Sequence, residues 1–195
     1  VYDESGATLS HYDPGQFSVK DFVAEYEGNN RRYLIAIIDS SFDVRHPLLA
    51  SKMYISPDEK LDQQDNDLNG WIDDLMGWNQ DTASNVLLSP IYLPRVGTPA
   101  SHGTHVASIA LEGQEDFSLI GYAGNITNIY HLDKIKRDIR KKRIPFTNMS
   151  FGIPQSMIMN IGQDDAIHSL KSVISYNSET LHLVGGQPAA LPGCH

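Results

Sequence analysis

Apolar positions along the chain fall into short continuous runs that alternate with helical stripes. Tyr33 to Ile38 is an apolar run closed by Asp39, the pattern of a parallel strand buried on both faces. Upstream, residues 18–27 predict a short helix, with Ser18 as cap, Asp21 at the capping-box distance, and Phe22, Val23 and Tyr26 sharing a face. From Leu49 to Ala100 the chain is polar, rich in Asp, Asn, Pro and Gly, without a sustained period, and reads as long surface loops. A helix is expected from His102 to about Leu111, with Val106, Ile109 and Ala110 as its apolar positions and Gly113 as its C-cap. A strand near Ile126 to His131 follows, then a basic helix whose Leu132, Ile135 and Ile139 recur at i, i+3 and i+7. The pattern ends with a strand from Ile144 to Ser150, a helix from Asp165 to about Tyr176 buried through Ile167, Leu170, Val173 and Ile174, and a strand from Leu181 to Val184.

Strands alternating with helices imply a three-layer α/β fold, a mainly parallel sheet flanked by helices, with right-handed crossovers. Asp39 would then close a strand at the carboxyl end of the sheet, where open α/β folds place their active sites. A length of 195 residues suits one domain. No apolar run reaches the roughly 20 residues that span a bilayer. The net charge of −9 argues against general affinity for nucleic acid. Against that average, Lys134, Lys136, Arg137, Arg140, Lys141, Lys142 and Arg143 crowd into one segment. The apolar stripe opposite them makes this the solvated face of an amphipathic helix rather than a phosphate site. Cys194 is the only cysteine, which excludes an internal disulfide. Val1 in place of a methionine leads us to expect an upstream segment, signal peptide or propeptide, that has been removed.

Two positions carry candidate chemistry. An aspartate at a strand end is by itself commonly a turn former, and the His-x-x-His of His102 and His105 is by itself a metal half-site or a pair of solvent-facing side chains. An acid that closes a buried strand, followed by a histidine that opens a helix, is also two thirds of a Ser-His-Asp proton-transfer system. Ile35-Ala36-Ile37-Ile38-Asp39-Ser40-Ser41-Phe42-Asp43 with His46-Pro47, and His102-Gly103-Thr104-His105-Val106-Ala107, resemble the aspartate and histidine blocks of the subtilisin-like serine proteases, the subtilases. Between them, Asp65-Asn66-Asp67-Leu68-Asn69-Gly70-Trp71-Ile72-Asp73-Asp74 with Gly77-Trp78-Asn79 resembles an acidic segment that many members carry. Asn148-Met149-Ser150-Phe151-Gly152 resembles the strand that lines their substrate cleft.

The resemblance implies a partial subtilisin-like catalytic domain over 31–195, incomplete at its C-terminus, behind an N-terminal extension of residues 1–30. It implies a serine endopeptidase in which His102 is the general base and Asp39 its orienting carboxylate. Ser150, Phe151 and Gly152 would bind a peptide or protein substrate, and His105 would be structural. No cofactor is required; the acidic segment allows a structural calcium on Asp65, Asp67, Asn69 and Asp73. An EF-hand is not expected, because Met76 stands where such a loop needs a bidentate glutamate. Family membership alone favours a secreted or extracytoplasmic location. The chain also departs from the family. Ser41 and Ser108 stand at glycine positions, Gln187 stands where an asparagine stabilises the oxyanion, and no serine follows Gly-Thr as the nucleophile block demands. The chain alone is therefore expected to be inactive, its missing half a partner. The alternative is a catalytically dead domain that binds peptides or a protein.

Overall fold

The structure, a computed structural model, describes residues 17–88, 102–124, 129–150 and 171–185. Ser18 accepts the Asp21 N–H at 3.2 Å and starts α1 (Val19–Tyr26), whose Phe22 and Val23 are buried against the core while Tyr26 packs at its margin. The apolar run beyond it forms β1 (Tyr33–Asp39), buried over its last five residues. A short 3-10 helix (Ala50–Lys52), β2 (Gly77–Asn79), α2 (His102–Leu111), β3 (Phe117–Ala123), α3 (Ile129–Lys141), β4 (Phe146–Ser150) and β5 (Leu181–Gly185) follow. All five strands are parallel, in the order β2-β3-β1-β4-β5.

Alternation along β1 sorts its side chains onto two faces of the sheet. Ile35 and Ile37 join Phe22 of α1 and Ala107 and Leu111 of α2 in one core. Ala36 and Ile38 face Leu132, Ile135 and Ile139 of α3 in the other, together with Val173. The fold is thus a three-layer α/β arrangement with β1 at its centre. Among the described residues no helix is long and apolar enough to cross a membrane.

Four expectations need correction. The segment after Leu49 is not surface loop throughout, since Leu49, Met53, Trp71, Met76 and Leu87 are almost fully buried and Gly77–Asn79 adds an edge strand to the sheet. Three residues are too few to show a strand period, and the polar majority of that segment hides the buried minority. The strand expected near Ile126 to His131 is displaced: the strand is Phe117–Ala123, while His131 lies inside α3 and 125–128 fall outside the described residues. In α2 the buried positions are Gly103, Thr104, Ala107 and Leu111, and Ile109 is 60% exposed. Val106 and Ala110 do pack against the core, partly buried, but small residues dominate that face because the helix lies close to the sheet, so hydrophobicity alone misplaces Ile109. Gly113 follows α2 with φ +67°, the left-handed conformation a C-cap glycine adopts. The fourth correction concerns Lys142, whose side chain is not solvated but 5% exposed. Of the helix expected over 165–176, the described part, 171–176, is helical and buries Val173; Ile174 is 37% exposed. Ile167 and Leu170 lie outside the described residues.

Candidate active site

Asp39 is the last residue of β1, at the carboxyl end of the sheet, and only 2% exposed. A buried carboxylate needs donors. Ser40 supplies its backbone N–H at 2.6 Å and its hydroxyl at 3.1 Å to Oδ1. His102, the first residue of α2, brings Nδ1 to 2.9 Å from both Oδ1 and Oδ2 of Asp39, with its side chain 58% exposed. The acid is therefore held in the protein and the imidazole projects from it. With Nδ1 engaged by the carboxylate, Nε2 is the nitrogen left to exchange a proton with another group.

The neighbouring sequence explains how a helix can start so close to a strand end. A Cβ at Gly103 would collide with the Ser41 carbonyl oxygen and come within 3.0 Å of Asp39 Cβ and 3.1 Å of Phe42. Thr104 then accepts the Asp43 N–H on its hydroxyl at 2.8 Å, tying the first turn of α2 to the chain just after β1. Both serines at glycine positions are accommodated. Ser41 is buried with its hydroxyl 3.4 Å from the Leu87 carbonyl, and Ser108 donates to the Thr104 carbonyl at 2.8 Å within the helix. His105 is exposed, one helical turn of side chains away from the pair.

Ser150 ends β4 at the same end of the sheet. The β1–β4 ladder stops at Ile37↔Asn148, while Ser150 pairs with Gly185 of β5. Its hydroxyl donates to Asn148 Oδ1 at 2.7 Å. Phe151, Gly152 and Gln187 lie outside the described residues.

The acidic segment packs on the α3 side of the sheet. Asp65 accepts the Asn69 and Gly70 N–H groups at 3.0 and 2.9 Å, Asn69 Oδ1 accepts the Trp71 N–H at 2.8 Å, and Asp73 accepts the Asp62 and Gln63 N–H groups at 3.0 Å. These are the bonds of a folded loop, in which Asp67 Oδ1 also accepts the Asn69 N–H at 3.0 Å, so that Asp65 and Asp67 share one donor. The carboxylates that do come together among the described residues are Glu59, Asp67 and Asp74, one oxygen of each within 4.8 Å of the others. Lys142 stands beside them, its ammonium 2.5 Å from Asp138, 2.9 Å from Asp67 and 3.7 Å from Asp74. Tyr122 donates its hydroxyl to the second oxygen of Asp138 at 2.5 Å. Burial pushes the Asp74 carboxyl up to about 7, against the pull of Lys142. It also raises Glu59. Burial acts to lower Lys142, but the Asp138 and Asp74 carboxylates outweigh it and hold the ammonium above its ordinary value.

Of this cluster the sequence singled out Asp67 alone. The signals for the rest were the i, i+4 spacing of Asp138 and Lys142 on one helix face, and the paired Asp73-Asp74. In comparisons with known proteins, the chain matches no family model and no curated protein.

Proposed function

We propose that this chain is the aspartate- and histidine-bearing part of a subtilisin-type serine endopeptidase, with Asp39 and His102 as two members of its catalytic triad. The observation that carries this reading is the contact of His102 Nδ1 with a buried Asp39 carboxylate at 2.9 Å while the ring is open to solvent. Acyl transfer needs a base that takes the hydroxyl proton of the nucleophile and returns it to the leaving amine. His102 would do this through Nε2. Asp39 would hold the Nδ1–H tautomer and stabilise the imidazolium that forms. The four sequence blocks in family order support the same assignment, as does the crowding at Gly103, which sets the ring over the acid.

The nucleophile must come from elsewhere, because no serine of this chain follows Gly-Thr. The chain alone then turns over no peptide and takes no label from a serine-directed fluorophosphonate. Adding a segment that carries a Gly-Thr-Ser block, if the reading frame continues into one, restores both, and His102→Ala removes them again. Label on the isolated chain that one Ser→Ala change abolishes would place the nucleophile within it and overturn the reading. Peptide binding without label, even with the added segment, would favour a dead domain that binds without cutting.

A further inference from the structure

Two tryptophans that neither the Asp39–His102 pair nor the buried lysine cluster uses come together beside the β2 edge of the sheet. Trp71, from the acidic segment, and Trp78, in β2, stack with ring centroids 5.9 Å apart and planes 16° from parallel. Trp71 is the buried member, 2% exposed, and is backed by Tyr122 of β3 at 5.9 Å. Trp78 is half-buried. Both rings line a cleft of about 410 Å3 whose polar side is made by Asp73, Ser84 and Asn85. That volume lies within the roughly 300–1,000 Å3 of small-molecule sites.

The polar groups are fixed in place without being used up. Asp73 spends Oδ1 on the Asp62 and Gln63 N–H groups, which leaves Oδ2 as an acceptor. Asn85 donates Nδ2 to the Asp73 carbonyl at 2.9 Å, which leaves its Oδ1. Lys134 stands at the Gly70 end of the cleft, its ammonium 3.1 Å from the Gly70 carbonyl and 5.9 Å over the Trp71 ring. The platform is thus flanked by one negative and one positive side chain.

We propose that this cleft binds a neutral carbohydrate, a mono- or disaccharide unit stacked on Trp78 with its hydroxyls on Asp73 and Asn85. A pyranose offers a weakly positive face of C–H groups, which the negative face of an indole attracts, and a rim of hydroxyls that each donate and accept. Other ligand classes fit less well. A cation drawn to the rings would meet the Lys134 ammonium already there and be repelled by it. An apolar side chain or a flat aromatic ring would shut Asp73 Oδ2 and Asn85 Oδ1 from water without supplying a donor. A hydroxyl-rich ligand supplies the donors and needs no net charge. Backing of Trp78 by Trp71, and of Asp73 by two N–H groups, lowers the ordering cost of binding. The cleft uses neither Asp39 nor His102, so it stands whether or not that pair is catalytic.

Trp71 and Trp78 are the only tryptophans of the chain, so intrinsic tryptophan emission reports this cleft alone. The test titrates the full chain with cellobiose, chitobiose and maltose, followed by that emission and by saturation-transfer NMR. At least one of them should give a saturable change with a millimolar dissociation constant. Trp78→Ala, followed by NMR because it removes a reporter, should weaken that ligand at least tenfold. Asp73→Asn keeps an oxygen for the Asp62 and Gln63 N–H groups, and asparagine tolerates the φ of +58° found there. It should fold as the wild type does and weaken binding at least threefold, and it decides the matter where Trp78→Ala fails to fold. No emission change and no saturation transfer from any of the three sugars at tens of millimolar would overturn the proposal. So would tighter binding of tetramethylammonium or of indole, which would make the cleft a cation site or an apolar one. Wild-type affinity in Asp73→Asn, and in Trp78→Ala where it folds, would overturn it as well.

Discussion

Two acid–base groups lie on opposite faces of the same sheet and are built on opposite plans. At the carboxyl end of β1, one buried carboxylate, Asp39, meets one base, His102, that is more than half exposed. On the α3 side, Lys142 is 5% exposed and sits among three carboxylates, Asp67 and Asp74 of the acidic segment and Asp138 of α3, while Tyr122 and Asn69 fill in hydrogen bonds around it. The first arrangement leaves its proton-accepting group free to meet something outside the chain, as catalysis requires. The second turns its charges inward, so that the ammonium and the carboxylates hold one another. Exposure of the basic partner, more than the distance to the acid, separates a site that can act from a cluster that holds segments together.

Removing the basic partner from each group should therefore give very different results. Lys142→Met leaves Asp67, Asp74 and Asp138 buried with no ammonium between them. Breaking a buried ion pair on one side typically costs about 3–5 kcal/mol, the largest effect expected here and enough to unfold a marginal domain. Urea unfolding followed by circular dichroism measures it. A loss below about 1 kcal/mol would mean that water reaches the cluster and that the burial of Lys142 is not what fastens α3 to the acidic segment.

How far the sequence discloses these two groups follows from the same contrast. Asp39 and His102 are legible because each sits at the boundary of a regular element, where periodicity and flanking residues locate it: the apolar run Tyr33–Ile38 ends at the acid, and the helix begins at the base. The α/β alternation is legible for the same reason. The Lys142 cluster is not, because its members come from an aperiodic loop, a strand and the end of a helix whose remaining basic residues include the well-exposed Arg137. Only the i, i+4 spacing from Asp138 sets Lys142 apart from Lys141 in the sequence, yet one is 5% and the other 44% exposed. In α2 the hydrophobic pattern locates Val106 and Ala110 against the core but misleads at Ile109, for a physical reason as well. Close approach to β1 selects Gly103, Thr104 and Ala107 by size, so Ile109, the more hydrophobic residue, points to water. β2 is not legible because its three residues pair with β3 through a glycine–glycine approach, Gly77 on Gly121, that leaves no hydrophobic pattern to read.

That size constraint gives the next test, of intermediate effect. Gly103→Ala puts a methyl group into the Ser41 carbonyl and against Asp39 and Phe42. Overpacking of this kind costs about 1–3 kcal/mol. Relief would come from lifting the start of α2, which would draw His102 Nδ1 away from Asp39. The stability loss should accordingly come with a changed His102 imidazole signal in 15N spectra, as the Nδ1–H tautomer is no longer enforced. A loss of stability with an unchanged imidazole signal would show that the strain is relieved elsewhere and that Gly103 does not set the pair's geometry.

The smallest effect should come from the base of the candidate active site. His102→Ala removes a side chain that is 58% exposed and contributes no core packing, while Asp39 keeps its bonds from the Ser40 N–H and hydroxyl and gains water where the ring stood. Exposed ion pairs contribute about 0–1 kcal/mol, so the unfolding free energy should fall by less than about 1 kcal/mol. The comparison is then sharpest as a difference: Lys142→Met and His102→Ala each delete one basic partner of a buried aspartate, and their costs should differ by at least about 2 kcal/mol. If His102→Ala costs as much as Lys142→Met, the imidazole is a structural prop like the lysine, and the case for a base held ready for proton transfer fails with it.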